Sequence, residues 1–335
     1  MPLSPIKEGF VMIKNIFWNP IESRVRFGWR MAGQTVLIFV PVVILNIALQ
    51  PLAEQGVIKG VTLNSPPGMF RLSFVILVGA IFSVWLAGRF LDHRHFADFG
   101  FRFDRNWWID FGFGLALGAI LSAAIFGIEW AAGWITITGV LQGYDGTPFG
   151  QAILMAVVTF ICVGIYEELI FRGYHLKNIA EWLNQSKRVT PRWAVLGAVC
   201  ISSMFFGISH TLNPNATVLS TLNIALGSIF LLGIGFFLTS ELAISIGVHI
   251  AFNLFRGSVF GFGVSGFDAR ATTLIVIEQG GPAWLTGGAF GPEAGPLGLA
   301  AMLLGGILTL GWVKWRRGNV TIQESIAEPP TLSQQ

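Results

Sequence analysis

Apolar residues run along this chain in blocks of about twenty, separated by shorter polar stretches. Blocks of that length match the ~20 residues needed to cross a hydrocarbon core. They fall at 31–50, 70–91, 109–131, 150–173, 192–211, 216–237, 240–256 and 297–315, and so predict about eight spanning helices. Ahead of them Ile6, Phe10, Ile13 and Phe17 recur at helical spacing, with Lys7 and Lys14 on another face. That pattern predicts an amphipathic helix over 6–18 lying on the membrane surface.

The polar stretches set an orientation. Lys7, Lys14, Arg24, Arg26 and Arg30 precede the first block, and Arg94, Arg102 and Arg105 follow the second. Lys177, Lys187, Arg188 and Arg192 follow the fourth, and Lys314, Arg316 and Arg317 close the last. The intervening 132–149 and 212–215 carry no Lys or Arg. Excess Lys and Arg marks the cytoplasmic side, which places both termini there. Trp18, Trp29, Trp107, Trp108, Trp312 and Trp315 fall near the same interfaces, where an amphipathic ring is favoured.

Composition agrees: 53% of residues are hydrophobic and 12% charged, against about 25% charged in soluble domains. With a mean hydropathy of +0.66, the fold class is an all-α, polytopic membrane helix bundle rather than a soluble domain. The partner this implies is the bilayer, not nucleic acid. Cys162 and Cys200 lie inside apolar blocks and read as small core residues rather than a disulfide. The first 30 residues, broken by Pro5 and Pro20, lead into a full-length span instead of the short apolar region of a cleaved signal. Gly114 and Gly118 form a G-x-x-x-G pair that predicts close helix packing within the chain.

Three regions follow: 1–149 with the interfacial helix and three spans, 150–256 with four spans, and 257–335 with a loop, the last span and a tail. The Gly/Pro-rich loop 257–296 reads as a lid, a docking surface or a disordered stretch. The polar tail after Arg317 reads as a flexible end.

Ionisable groups inside a bilayer are costly, so their positions carry the functional signal. The run GIYEELIFRGY places Glu167, Glu168 and Arg172 in one apolar helix. Glu168 and Arg172 stand i,i+4 in the favourable acid-before-base order. Glu167 lies about 100° further round, beside Ile170 and Phe171, and needs a partner from another helix or a proton. His210 ends FFGISH, four residues after Phe206, and His249 begins HIAFN, one turn before Asn253. If the fourth block continues as a helix to a turn near 184–191, Glu167 and His210 come level in an antiparallel hairpin. A carboxylate, two imidazoles and an amide form an inventory for hydrolysis: a base for water, a proton carrier and donors to an oxyanion. The G-x-S-x-G and H-E-x-x-H patterns are absent. His93, His95 and His175 read as solvated or interfacial.

Glu-Glu-x-x-x-Arg, Phe-x-x-x-His and His-x-x-x-Asn, in that order on separate apolar helices, resemble the CPBP family. That family comprises the CAAX prenyl endopeptidases of the Rce1 type and the bacterial Abi (bacteriocin-processing and immunity) proteins. The resemblance covers roughly 150–256. It implies that Glu167 and His210 activate water and that His249 and Asn253 stabilise the oxyanion. It further implies that Glu168 with Arg172 holds the geometry and that Phe206 packs beside the site. Such a protein would be an intramembrane endopeptidase of the bacterial plasma membrane, with a peptide or membrane-protein substrate. The reading takes a metal-free glutamate mechanism; zinc held by Glu167, His210 and His249 is the alternative. Two other functional classes remain: a non-catalytic protein for bacteriocin immunity or partner binding, and a proton-coupled transporter. The Glu168–Arg172 pair is also open to a purely structural role as a helix staple.

Overall fold

The computed structural model describes residues 15–20, 22–54, 65–268 and 271–330. The apolar blocks fold as helices α1 (Phe27–Glu54), α2 (Pro66–Ala87), α3 (Arg105–Ala131), α4 (Phe149–Glu168), α5 (Lys177–Asn184) and α6 (Pro191–Ser209). They continue as α7 (Val218–Gly227), α8 (Ile234–Thr239), α9 (Ala243–Leu254), the single turn α10 (Ala283–Thr286) and α11 (Pro296–Arg317). Their starts follow capping chemistry. The Ser65 hydroxyl accepts from the Gly68 amide, Asp104 accepts from the Trp107 amide, and Thr217 and Ser220 form a reciprocal box. Gly318, at φ +76°, ends α11 in the left-handed conformation that glycine adopts without strain.

Among the described residues seven helices are long and apolar enough to cross a membrane: Phe27–Leu52, Pro66–Asp92, Arg105–Ala131, Phe149–Asn184, Pro191–Ser209, Val218–Thr239 and Pro296–Arg317. The molecule is an all-α polytopic bundle. The block read as a seventh of eight spans, 240–256, forms the apolar helix Ala243–Val259, about 25 Å long at 1.5 Å per residue. Every residue from Ala243 to Asn253 is buried, so other helices rather than lipid surround it. The fourth block does continue past Arg172: α4 and α5 form one 36-residue rod through a π-helical stretch, Leu169–Leu176, and turn before Pro191.

Glycine sets how closely α9 is held. A Cβ at Gly114 would lie 2.5 Å from the Ile244 carbonyl, and one at Gly118 would lie 2.6 Å from the Phe252 amide and the Val248 carbonyl. From the other side, a Cβ at Gly164 of α4 would meet Ile250. The G-x-x-x-G pair therefore packs inside the chain, against the helix that carries His249 and Asn253.

The segments between spans are more ordered than their composition suggested. Strand β1 (Trp18–Asn19) pairs with β2 (Arg24–Val25), and β3 (Ile135–Gln142) pairs antiparallel with β4 (Thr273–Gln279). The 257–296 loop is thus tied to the 132–149 connection, and the β-branched runs ITIT and TLIVI were the available signal. The tail is not a loose end as far as residue 330: Ile326 and Ala327 are fully buried, and Asn184 donates to the Ala327 carbonyl at 3.1 Å. Residues 6–14 of the expected amphipathic helix lie outside the described residues. Within it, 15–17 are helical and 18–19 are strand. His175 is half-buried and bonded to Gln34 of α1 at 3.2 Å, not solvated.

Candidate active site

Three helices converge on the sequence-predicted side chains. At the end of α4, Glu168 is fully buried, and its Oε1 accepts from Arg172 Nη1 at 3.0 Å and from His249 Nδ1 at 2.7 Å. A carboxylate oxygen without a proton only accepts, so His249 presents Nδ1–H to Glu168. Its Nε2 then faces Glu167 Oε2 at 3.5 Å. One imidazole links both glutamates and gives Glu167 a cross-helix partner.

Phe206 of α6 is the packing centre. The Arg172 guanidinium lies 4.4 Å over its ring, and the rings of His210, Phe171 and His249 surround it at 4.7, 5.1 and 6.1 Å. His210, the first residue beyond α6, bonds through Nδ1 to the Phe206 carbonyl at 2.7 Å. That carbonyl cannot donate, so Nδ1 carries the hydrogen and a neutral His210 ring exposes its Nε2 lone pair.

Glu167, His210, His249 and Asn253 all line one cavity of about 600 Å³. Its remaining wall is largely apolar, with Met69, Leu72 and Ile76 of α2 on one side and Val264 and Phe267 of the 257–296 segment on another. Glu167 and His210 thus share a cavity, as the hairpin spacing permits, but the imidazole that approaches Glu167, at 3.5 Å, is that of His249. Among the described residues no group of three or more His, Cys, Asp or Glu side chains is placed to hold a metal ion. His210 and His249 each bond to protein through Nδ1 and keep Nε2 on the cavity side.

The π-helical turns adjoin the site. One begins directly after Glu168, and another, Phe255–Val259, begins two residues after Asn253. Such i→i+5 turns recur at functional sites because they re-aim neighbouring side chains. Sequence reasoning also missed two buried charges beside Asn253. Arg256 donates from Nη2 to Asn253 Oδ1 at 2.8 Å and pairs through Nη1 with Glu293. The signal for Arg256 was present, a cation at the end of an apolar block and i+3 from Asn253.

A bundle of apolar helices enclosing acids and imidazoles in a shared cavity is a membrane protein with an enzyme-like interior. A family model described as Type II CAAX prenyl endopeptidase Rce1-like matches residues 149–255. That segment, which carries all three motifs, is Rce1-like, and the CPBP resemblance is thereby supported. The match supports, in general terms, a membrane protease of the CAAX/CPBP type. No curated protein and no solved structure matches the chain.

Proposed function

We propose that this protein is an intramembrane endopeptidase using a metal-free glutamate mechanism, with both termini in the cytoplasm of a bacterial cell. The observation that carries the reading is the gathering of Glu167, His210, His249 and Asn253 on one cavity. Glu167 takes a proton from a water held against His210 Nε2, and the resulting hydroxide oxygen bonds to the peptide carbonyl carbon. The carbonyl oxygen becomes an oxyanion, received by the Asn253 amide and by His249 Nε2. To donate from Nε2 while Nδ1 serves Glu168, the His249 ring must carry both protons, and two carboxylates flank it for that state. Collapse of the intermediate breaks the C–N bond, and the leaving amine takes the proton from Glu167. Arg172 and Glu168 act on His249 rather than on substrate. The largely apolar wall suits an extended apolar peptide.

The test is cleavage of a mixed membrane-peptide library by the purified protein in liposomes, read by mass spectrometry, with and without a zinc chelator. New fragments should appear with wild type and persist under chelator. Glu167→Gln and His210→Ala should lower the rate by about 10²–10⁴-fold, the range of a lost general base. Loss of wild-type cleavage under chelator would replace the glutamate mechanism with a zinc one. Equal cleavage by wild type and both variants would remove the assignment.

A further inference from the structure

Arg256 is a buried guanidinium beside the cavity, and every side-chain nitrogen it has is engaged. Nε donates to the Phe252 carbonyl at 3.1 Å, Nη1 to Glu293, and Nη2 to Asn253 Oδ1 at 2.8 Å. Its plane also lies 4.1 Å over the Phe252 ring. Three of its five N–H donors are thus placed on protein acceptors, one of them Asn253. It acts on Asn253.

The direction of that action follows from donor and acceptor chemistry. Arginine cannot accept a hydrogen bond, so the Asn253 atom facing it must be the oxygen. The other end of the amide is therefore NH₂, and it has no protein acceptor among the described residues. Asn253 lines the cavity, so its two donors remain for a group inside. Without Arg256 the amide could turn by 180° and present an acceptor there, which would repel an oxyanion.

Glu293 fixes Arg256 in turn. It is buried in the short turn Pro292–Ala294, and its Oε1 accepts from the Ser265 amide at 2.6 Å. The turn reaches this depth because Gly291 adopts φ +117°, where a Cβ would strike the Gly263 carbonyl at 2.3 Å. A second clamp joins the same segment to the loop after His210: Asn213 donates to the Ser265 carbonyl at 2.9 Å. Two parts of the 257–296 segment, at Ser265 and at Glu293, thus hold one relay, Glu293 to Arg256 to Asn253.

We propose that Glu293 and Arg256 are positioning residues that lock the Asn253 amide with its NH₂ toward the reacting carbonyl, which makes the 257–296 segment a working part of the site. The kinetic consequence rests on the peptidase reading above; the orientation of the amide does not.

The experiment therefore has two arms on the full-length protein in phospholipid nanodiscs. The first labels asparagine with ¹⁵N and identifies the Asn253 side-chain NH₂ pair by its loss in Asn253→Ala. Arg256→Met and Glu293→Gln should shift or broaden that pair while the other asparagine signals hold, and Glu278→Gln, an exposed acid of the same segment, should leave it in place. An unmoved pair overturns the proposal. Should either single variant fail to fold, the double variant leaves no unpaired buried charge and replaces it. The second arm uses whichever library peptide the wild type cleaves. Each variant should lower kcat by about 10²-fold, as loss of an oxyanion donor does, with KM little changed. Each should cost nothing further in an Asn253→Ala background. Additive losses in that background would mean a merely structural role and overturn the proposal. A wild type that cleaves nothing sinks the peptidase reading instead, and the resonance arm still decides the relay.

Discussion

Arg172 concentrates the energetics of the site in one side chain. Its Nη1 meets Glu168 at 3.0 Å, its plane covers the Phe206 ring, and both members of the pair are essentially without solvent contact. Removing one partner of such a pair leaves an uncompensated buried charge, at a cost of about 3–5 kcal/mol. Arg172→Met should therefore lower the unfolding stability in detergent by roughly that amount, towards the low end because His249 still serves Glu168. Glu168→Gln combined with Arg172→Met should recover more than half of the loss. If the double variant is as unstable as the single, stacking on Phe206 rather than charge holds the arginine in place. Sequence spacing made this pair legible because i,i+4 fixes both height and face on one helix. The partner of Glu167 was not legible to the same degree. Residue counting along a hairpin gives the level of His210, but not which of two imidazoles on different helices turns towards the carboxylate.

Elements were legible where hydropathy defines them and obscure where backbone geometry does. The long apolar blocks became helices with boundaries shifted by a few residues, whereas the π-helical turns leave no mark in composition. The seventh block was read by hydropathy as a span; its enclosure by other helices is what no single sequence displays. Gly114 and Gly118 were read correctly because a small residue every fourth position has one geometric use in a membrane bundle. At Gly118 the argument becomes quantitative, because the atoms a Cβ would meet are backbone and cannot swing aside. Gly118→Ala should push α9 away from α3 and cost about 1–3 kcal/mol, as overpacking does. The accompanying displacement of His249 and Asn253 should lower kcat by more than the stability loss accounts for, since a shift near 1 Å costs about 10²-fold. Gly112→Ala, on the same helix with nothing within 4 Å, is the matched control and should be neutral or stabilising by up to about 1 kcal/mol. Equal effects of the two substitutions on thermal unfolding and on kcat would refute close approach as the reason for Gly118.

At the scale of the whole molecule, the end of the bundle away from the 257–296 segment is organised around Glu181. Its Oε2 lies 2.5 Å from Arg24 and 3.5 Å from Arg30, and its Oε1 lies 2.5 Å from Arg94. Arg30 also reaches Asp92 at 3.0 Å, Arg24 reaches Glu22 at 2.7 Å, and Arg94 donates to the Glu328 carbonyl at 2.7 Å. One carboxylate on α5 therefore ties together the segment before α1, the connection after α2 and the C-terminal tail. This explains why a polar tail that composition reads as loose is docked: its backbone supplies an acceptor to a cation that the network has already buried. Glu181→Gln would leave Arg24 and Arg30 sharing Glu22 and Asp92, and Arg94 with the Glu328 carbonyl but without its buried carboxylate, so stability should fall by about 3–5 kcal/mol. Because the pairs are buried, added salt should change that loss little. Limited proteolysis should then cut both the segment ahead of Phe27 and the tail beyond Gly318 faster than in wild type. The cavity is built by other contacts, so cleavage per folded molecule should stay within a few-fold of wild type. Faster cutting at one terminus alone would mean that the two segments are held separately. Loss of peptidase activity in a folded Glu181→Gln protein would mean instead that this network and the cavity form one cooperative unit across the bundle.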